Sequence, residues 1–250
     1  SMLRNALLII VFFFGSLGVA ADALKVGIST DYPPLAYKQE VRIVGIEADN
    51  ATAVGAILGR NMTMVEMPFE KLIPALQTGE IDVIMSGMTV TSARGEQVIF
   101  TDSYMEVGQM AIMLMDNATQ FSQPWSIYRK GVRVGVEPGT TGAEFAKIQL
   151  EEAQIIYFST PSAAFDGLRN DDIDLYVHDA PTSWQLATSQ DNEDLLSLYS
   201  PLTNEQLAWA VRKDDERLAQ SLNAALQTMK GSESLRYILN RWIPVTVEVR

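Results

Sequence analysis

The chain has 250 residues and a formal net charge of −12, with 31 acidic against 19 basic side chains, so no cationic footprint for nucleic acid exists and no such partner is expected. Cysteine is absent and histidine occurs once, which excludes disulfides and thiolate metal sites and leaves too few imidazoles for an ordinary zinc site. A hydrophobic fraction of 47% supplies packed cores, and no metal or cofactor is expected.

Residues 1–23 read as a secretory leader. Arg4 precedes an apolar stretch from Ala6 to Phe14, and small residues follow at Val19, Ala20, Ala21 and Ala23, placing cleavage after Ala21 or Ala23. The apolar stretch is shorter than the roughly 20 residues a membrane span requires. An exported protein is therefore expected. The next segment, Lys25-Val26-Gly27-Ile28-Ser29, is a short apolar strand that runs into Pro33-Pro34. A helix is expected over Asp49–Arg60, with Asp49 or Asn50 near its cap, and a strand over Met62–Glu66.

The chain then echoes itself. Lys71 to Gly87 (KLIPALQTGEIDVIMSG) has a counterpart in Ala163 to Asp179 (AAFDGLRNDDIDLYVHD), each an amphipathic helix, a polar turn, Ile-Asp and a buried strand. Likewise Lys25 to Ser29 is matched by Arg133-Val134-Gly135-Val136-Glu137. Repetition of this kind implies two α/β lobes of like construction. Val107–Met115 is expected to cross from the first lobe to the second, and Asn204–Arg212 to return. The lobes are then 24–109 with 203–250, and 110–202. Further helices are expected over Thr141–Glu152, Pro181–Gln190, Asp214–Met229 and Ser232–Trp242, the last two separated by Gly231.

The segment from Glu80 to Arg94, EIDVIMSGMTVTSAR, carries the chemistry. Its buried strand ends in hydroxylated and small residues followed by one cation. In open α/β sheets ligands lie beyond the carboxyl ends of strands, and Arg grips a carboxylate bidentately. The run Gly87-Met88-Thr89-Val90-Thr91-Ser92-Ala93-Arg94 closely resembles the signature of the polar amino-acid family of extracytoplasmic solute-binding proteins, the receptors of ABC importers. The resemblance extends from about Leu24 to Pro244. It implies a periplasmic-binding-protein type II-like fold, in which two α/β lobes joined by two crossing strands close on a ligand held in the cleft. It also implies an amino-acid ligand, an ABC permease as partner, a monomer, and no catalysis.

By that resemblance Arg94, Thr89 and backbone N–H groups around Gly87 hold the ligand's α-carboxylate, with Ser86 assisting. Thr141 reaches the same carboxylate from the second lobe, Asp179 pairs with the α-amino group, and Tyr32 and Phe69 line the side-chain pocket. Glu137 occupies a turn whose side chain can face the pocket in relatives, which suits a cationic or strongly hydrogen-bonding ligand side chain. Ser29, however, stands where relatives selective for basic amino acids carry an acid, so the two clues disagree. Read without the family, Arg94 could pair with Glu96 or Asp102, Ser86 could be a buried strand-end hydroxyl, and Phe69 could be core. Thr141 and Asp179 could cap helices, Asp31 could form a turn, and His178 could be a packed residue on the opposite face from Asp179.

Other functions fit less well. No G-x-S-x-G, H-E-x-x-H, P-loop or G-x-G-x-x-G motif occurs. Periplasmic cyclohexadienyl dehydratases resemble these receptors and share features with TDYPPLAY and PGTTGAEFAKIQLEEA, but they carry a Glu shortly after the acid at Asp179. Here Pro181-Thr182-Ser183 stands in that place, without the acid that protonates the leaving hydroxyl. A sensory module would need a separate signalling partner.

Overall fold

The structure, a computed structural model, describes residues 22–198 and 202–243; the expected leader lies outside them up to residue 21. Two five-stranded sheets dominate, and they are built alike. In the first, Leu24–Ile28 lies parallel to Met62–Glu66 on one side and to Val83–Ile84 on the other. Ala210–Arg212 then pairs antiparallel with both Val83–Ile84 and the edge strand Val98–Phe100. In the second, Arg133–Val136 lies parallel to Gln154–Tyr157 and Leu175–Asp179, and Gln109–Leu114 pairs antiparallel with Leu175–Asp179 and the edge strand Leu195–Ser197.

The crossing is shorter than expected. It consists of Met105–Val107 and Glu205–Leu207, which pair antiparallel with Val107 opposite Glu205. Each crossing strand leads directly into the antiparallel strand of the sheet it enters, Gln109–Leu114 or Ala210–Arg212. The apolar run Val107–Met115 is therefore mostly a buried central strand of the second sheet, and Gln109, expected to end the first lobe, already belongs to that sheet.

Helices cover both faces of each sheet, as a parallel sheet with apolar strands requires. On the first lobe, Ile46–Leu58, Glu216–Gly231 and Ser234–Trp242 share one core with Val26, Val83, Trp209 and Val211. Leu72–Thr78 packs on the other face with Ile81 and Ile84. The second lobe repeats this, with Thr141–Gln149 on one face and Pro161–Arg169 on the other.

The first helix starts at Ile46, ahead of the expected Asp49. Its opening N–H groups are satisfied by backbone rather than by a side-chain cap: Ile46 N–H donates to Pro34 O at 3.0 Å and Glu47 N–H to Leu35 O at 2.8 Å. Gly45 makes that approach possible, since it sits at φ 119° and a Cβ there would lie 2.6 Å from Leu35 O. Asp49 instead accepts from Arg241 and Trp242.

Candidate functional site

The carboxyl ends of the parallel strands from both sheets face one cavity of about 290 Å³. Every residue named above as a ligand contact lines it, with Ser86 the exception. The Ser86 hydroxyl is fully buried and accepts the Ser29 N–H at 2.8 Å, tying two strand ends together.

The first lobe contributes Arg94. The Thr91 hydroxyl caps the short helix Ser92–Gly95 by accepting the Arg94 N–H at 3.1 Å. The guanidinium lies 5.4 Å from the Phe69 ring centre, donates Nη1 to Thr89 O at 2.9 Å, and donates Nη2 across the cleft to Gly139 O at 3.2 Å. Its contacts are thus a ring and two carbonyls, not the carboxylates of Glu96 or Asp102. Burial pulls its pKa below the usual arginine value, against the favourable field of Glu205, yet a guanidinium stays charged in a protein.

Gly87 has a different role from the one expected. Its N–H donates to the buried Glu47 carboxylate at 3.0 Å and is not left for a ligand. Its φ is 64°, and a Cβ would lie 2.5 Å from the Tyr32 ring, so glycine lets the aromatic wall close over the strand end. The Thr89 backbone instead faces away from the crossing strand. The hydrogen bonds flanking the Thr89–Leu207 bridge come from Val90 and Ala208. That pattern turns the N–H and carbonyl of Thr89 away from Leu207, to the side where its carbonyl meets Arg94.

On the second lobe, Thr140 rather than Thr141 caps the helix, its hydroxyl accepting the Ala143 N–H at 3.2 Å. Thr141, the first helical residue, accepts from Gln109 Nε2 at 3.0 Å and lines the cavity beside the helix's positive end.

Asp179 is not alone. The ring of His178 lies between two acids, with Nε2 2.8 Å from Glu137 Oε2 and Nδ1 3.1 Å from Asp179 Oδ2. Burial opposes charge on this ring, but the two carboxylates outweigh it and hold its pKa up at about 10. Burial likewise works to raise the Asp179 pKa, yet the charge of His178 and hydrogen bonds from His178, Tyr32 and the Thr182 N–H keep it below the ordinary value. Asp179 also caps its helix, accepting that Thr182 N–H at 3.2 Å. The alternation argument misplaced His178 because Asp179 ends the strand and Ala180 starts the helix, so the two side chains do not diverge.

Sequence reasoning missed Glu205 and Gln109, both almost fully buried. Glu205 Oε1 lies 3.1 Å from Thr89 Oγ1, and its Oε2 lies 2.9 Å from Gln109 Nε2 and 2.7 Å from Thr203 Oγ1. Asp31 and Glu70 also line the cavity. Four carboxylates there, Asp31, Glu70, Glu137 and Asp179, face two cations, Arg94 and protonated His178. Among the described residues no group of acids and histidine could hold a metal ion, and no helix is long and apolar enough to cross a membrane.

The family model for bacterial extracellular solute-binding proteins, family 3, matches residues 24–245. ABC transporter arginine-binding protein 1 of Escherichia coli strain K12 is 31% identical over 246 residues, covering 96% of this chain and 97% of that protein. An ancestral arginine-binding protein bound to arginine superposes with a TM-score of 0.82 at 30% identity, covering 89% and 99% of the two chains. An ancestral amino acid-binding protein described as a precursor of cyclohexadienyl dehydratase superposes with a TM-score of 0.81 at 32% identity, covering 88% and 95%. The named relatives are binding proteins of ABC transporters, not enzymes. The chain belongs to the bacterial extracellular solute-binding proteins, family 3, the amino-acid-binding receptors of ABC transporters.

Proposed function

We propose that the protein captures a cationic amino acid, arginine foremost, in the periplasm as a monomer after removal of its leader, and delivers it to an ABC permease. The observation that carries this reading is the placement of Arg94 and Asp179 on opposite walls of one cavity. Arg94 with the Thr89 N–H and the Thr141 hydroxyl suits an α-carboxylate. Asp179, held ionised, suits an α-ammonium, for which an uncompensated burial would be very costly. Tyr32 and Phe69 enclose the aliphatic part of the side chain.

Two negative charges in excess along the lining favour a cationic side chain, and the arginine-binding relative supports the same choice. The resemblance places an acid at Ser29 in receptors for basic amino acids; Asp31 and Glu70 line the same cavity as Ser29 and supply negative charge there. The lobes that close are the two five-stranded sheets with their helices, with Gln109 on the side of the second, moving about the paired crossing strands. A ligand that touches both lobes shifts the equilibrium to the closed form, which the permease then engages.

The test is calorimetric titration of the purified protein with arginine, lysine, histidine, glutamine, prephenate and arogenate. Heat with arginine or lysine and little with glutamine is expected. Binding of glutamine alone would overturn the cationic assignment, and turnover of prephenate would overturn the receptor reading.

A further inference from the structure

We infer that Glu205 decides which end of a bound amino acid the Thr89 and Thr141 hydroxyls can each meet, by setting the direction of the hydrogen bonds at both. The inference rests on the reading of the cleft as an amino-acid site. Glu205 lies on a crossing strand and is 8% exposed. Its two carboxyl oxygens are each met by hydrogen-bond donors: Thr89 Oγ1 donates to Oε1, and Gln109 Nε2 and Thr203 Oγ1 donate to Oε2.

The consequences differ on the two walls. The Thr89 hydroxyl has its one hydrogen committed to Glu205, so toward the cavity it offers only lone pairs. It can accept from an ammonium and cannot donate to a carboxylate. Gln109 must turn its nitrogen, not its oxygen, toward Glu205, which fixes the amide orientation. The second hydrogen of that nitrogen reaches Thr141 Oγ1 at 3.0 Å. Thr141 then accepts on one side and keeps its own hydrogen for the cavity, where it can donate to a carboxylate. One buried acid thus makes an acceptor of Thr89 and a donor of Thr141, although both are threonines.

Space for this relay is reserved. A Cβ at Gly142 would lie 2.5 Å from Gln109 Oε1, so the glycine beside Thr141 admits the amide. The relay also spans the hinge, since Thr89 belongs to the first lobe's wall and Thr141 to the second's. Glu205 is a positioning residue in this scheme and touches no ligand atom.

The test compares arginine with 5-guanidinopentanoate, which keeps the carboxylate and side chain but lacks the α-amino group, by calorimetric titration of wild type and Glu205→Gln. A carboxamide cannot accept from all three donors, so one hydroxyl must reverse. Arginine affinity is expected to fall about tenfold or more, as for loss of a charge-assisted contact. Affinity for the des-amino probe should change much less, narrowing the discrimination between the two. Unchanged discrimination, or a parallel loss of both ligands accompanied by a lower melting temperature, would overturn the inference. If Glu205→Gln does not fold, Thr89→Val decides, because it removes the same acceptor; retained discrimination there overturns the inference equally. Failure of wild type to bind arginine would instead sink the amino-acid reading.

Discussion

Arg94 is half-buried against Phe69, its two hydrogen bonds go to carbonyl oxygens, and no carboxylate among the described residues pairs with it. A half-buried cation so placed is poised for an anion. Arg94→Ala should abolish arginine binding in calorimetry while leaving the melting transition cooperative; near-normal affinity would refute the carboxylate assignment. His178 makes a prediction about pH. In the unfolded chain its pKa is about 6.5, and in the fold it is held up at about 10. Below the lower value the ring is protonated in both states and its ion pairs stabilise fully; as pH rises toward 10 that contribution is lost. Denaturant midpoints of wild type and His178→Gln should therefore converge between pH 6 and pH 10, and a constant gap would rule out a charged ring. At this scale Arg94, Tyr32 and Asp179 were legible because a motif or strand end marks them. Glu205 was not, because one polar residue in the polar stretch Asn204–Gln206, just ahead of the apolar run from Leu207 to Val211, has no local signature; its role depends on Thr89, 116 residues away.

The doubled Ile-Asp segment was visible in the sequence, and the elements show why it is doubled. Asp82 accepts the Lys25 N–H at 2.9 Å, and Asp174 accepts the Arg133 N–H at 2.8 Å, each pinning the start of its lobe's first strand. The preceding isoleucines, Ile81 and Ile173, fill the space that Gly27 and Gly135 leave open: added Cβ atoms would lie 2.2 Å and 2.6 Å from their Cδ1 atoms. Gly27→Ala should accordingly cost about 1–3 kcal/mol by overpacking. Combining it with Ile81→Val, which removes the clashing methyl, should recover much of that loss in urea denaturation. Strict additivity of the two changes would show that no such contact limits the site. The crossing strands were misjudged for the opposite reason: three-residue strands flanked by apolar residues carry no boundary a periodicity argument can detect. The early start of the first helix was equally hidden, since carbonyls of Pro34 and Leu35 cap it rather than a side chain of its own.

Across the whole molecule, contacts already join the lobes. Arg94 reaches Gly139 O, the Tyr32 hydroxyl hydrogen-bonds Asp179, and the Tyr32 ring meets that of His178 edge-on. A ligand that replaces or extends these contacts stabilises the closed form. At a hundred times its dissociation constant it adds about 2.7 kcal/mol, enough to raise the melting temperature by several degrees for a protein of this size. Small-angle scattering should register a smaller radius of gyration on adding arginine; an unchanged radius with tight binding would place the lobes in the closed arrangement before the ligand arrives.

Val107 and Glu205 face each other across the crossing ribbon, which gives the second lobe the topology of an insertion whose entrance and exit are neighbours. Joining these two residues by a tight two-residue turn would leave every strand of the first sheet in place. Such a shortened chain should fold and keep Arg94, yet bind nothing. Recognition would then reside in neither half, and a new specificity becomes a matter of exchanging what is strung between Val107 and Glu205.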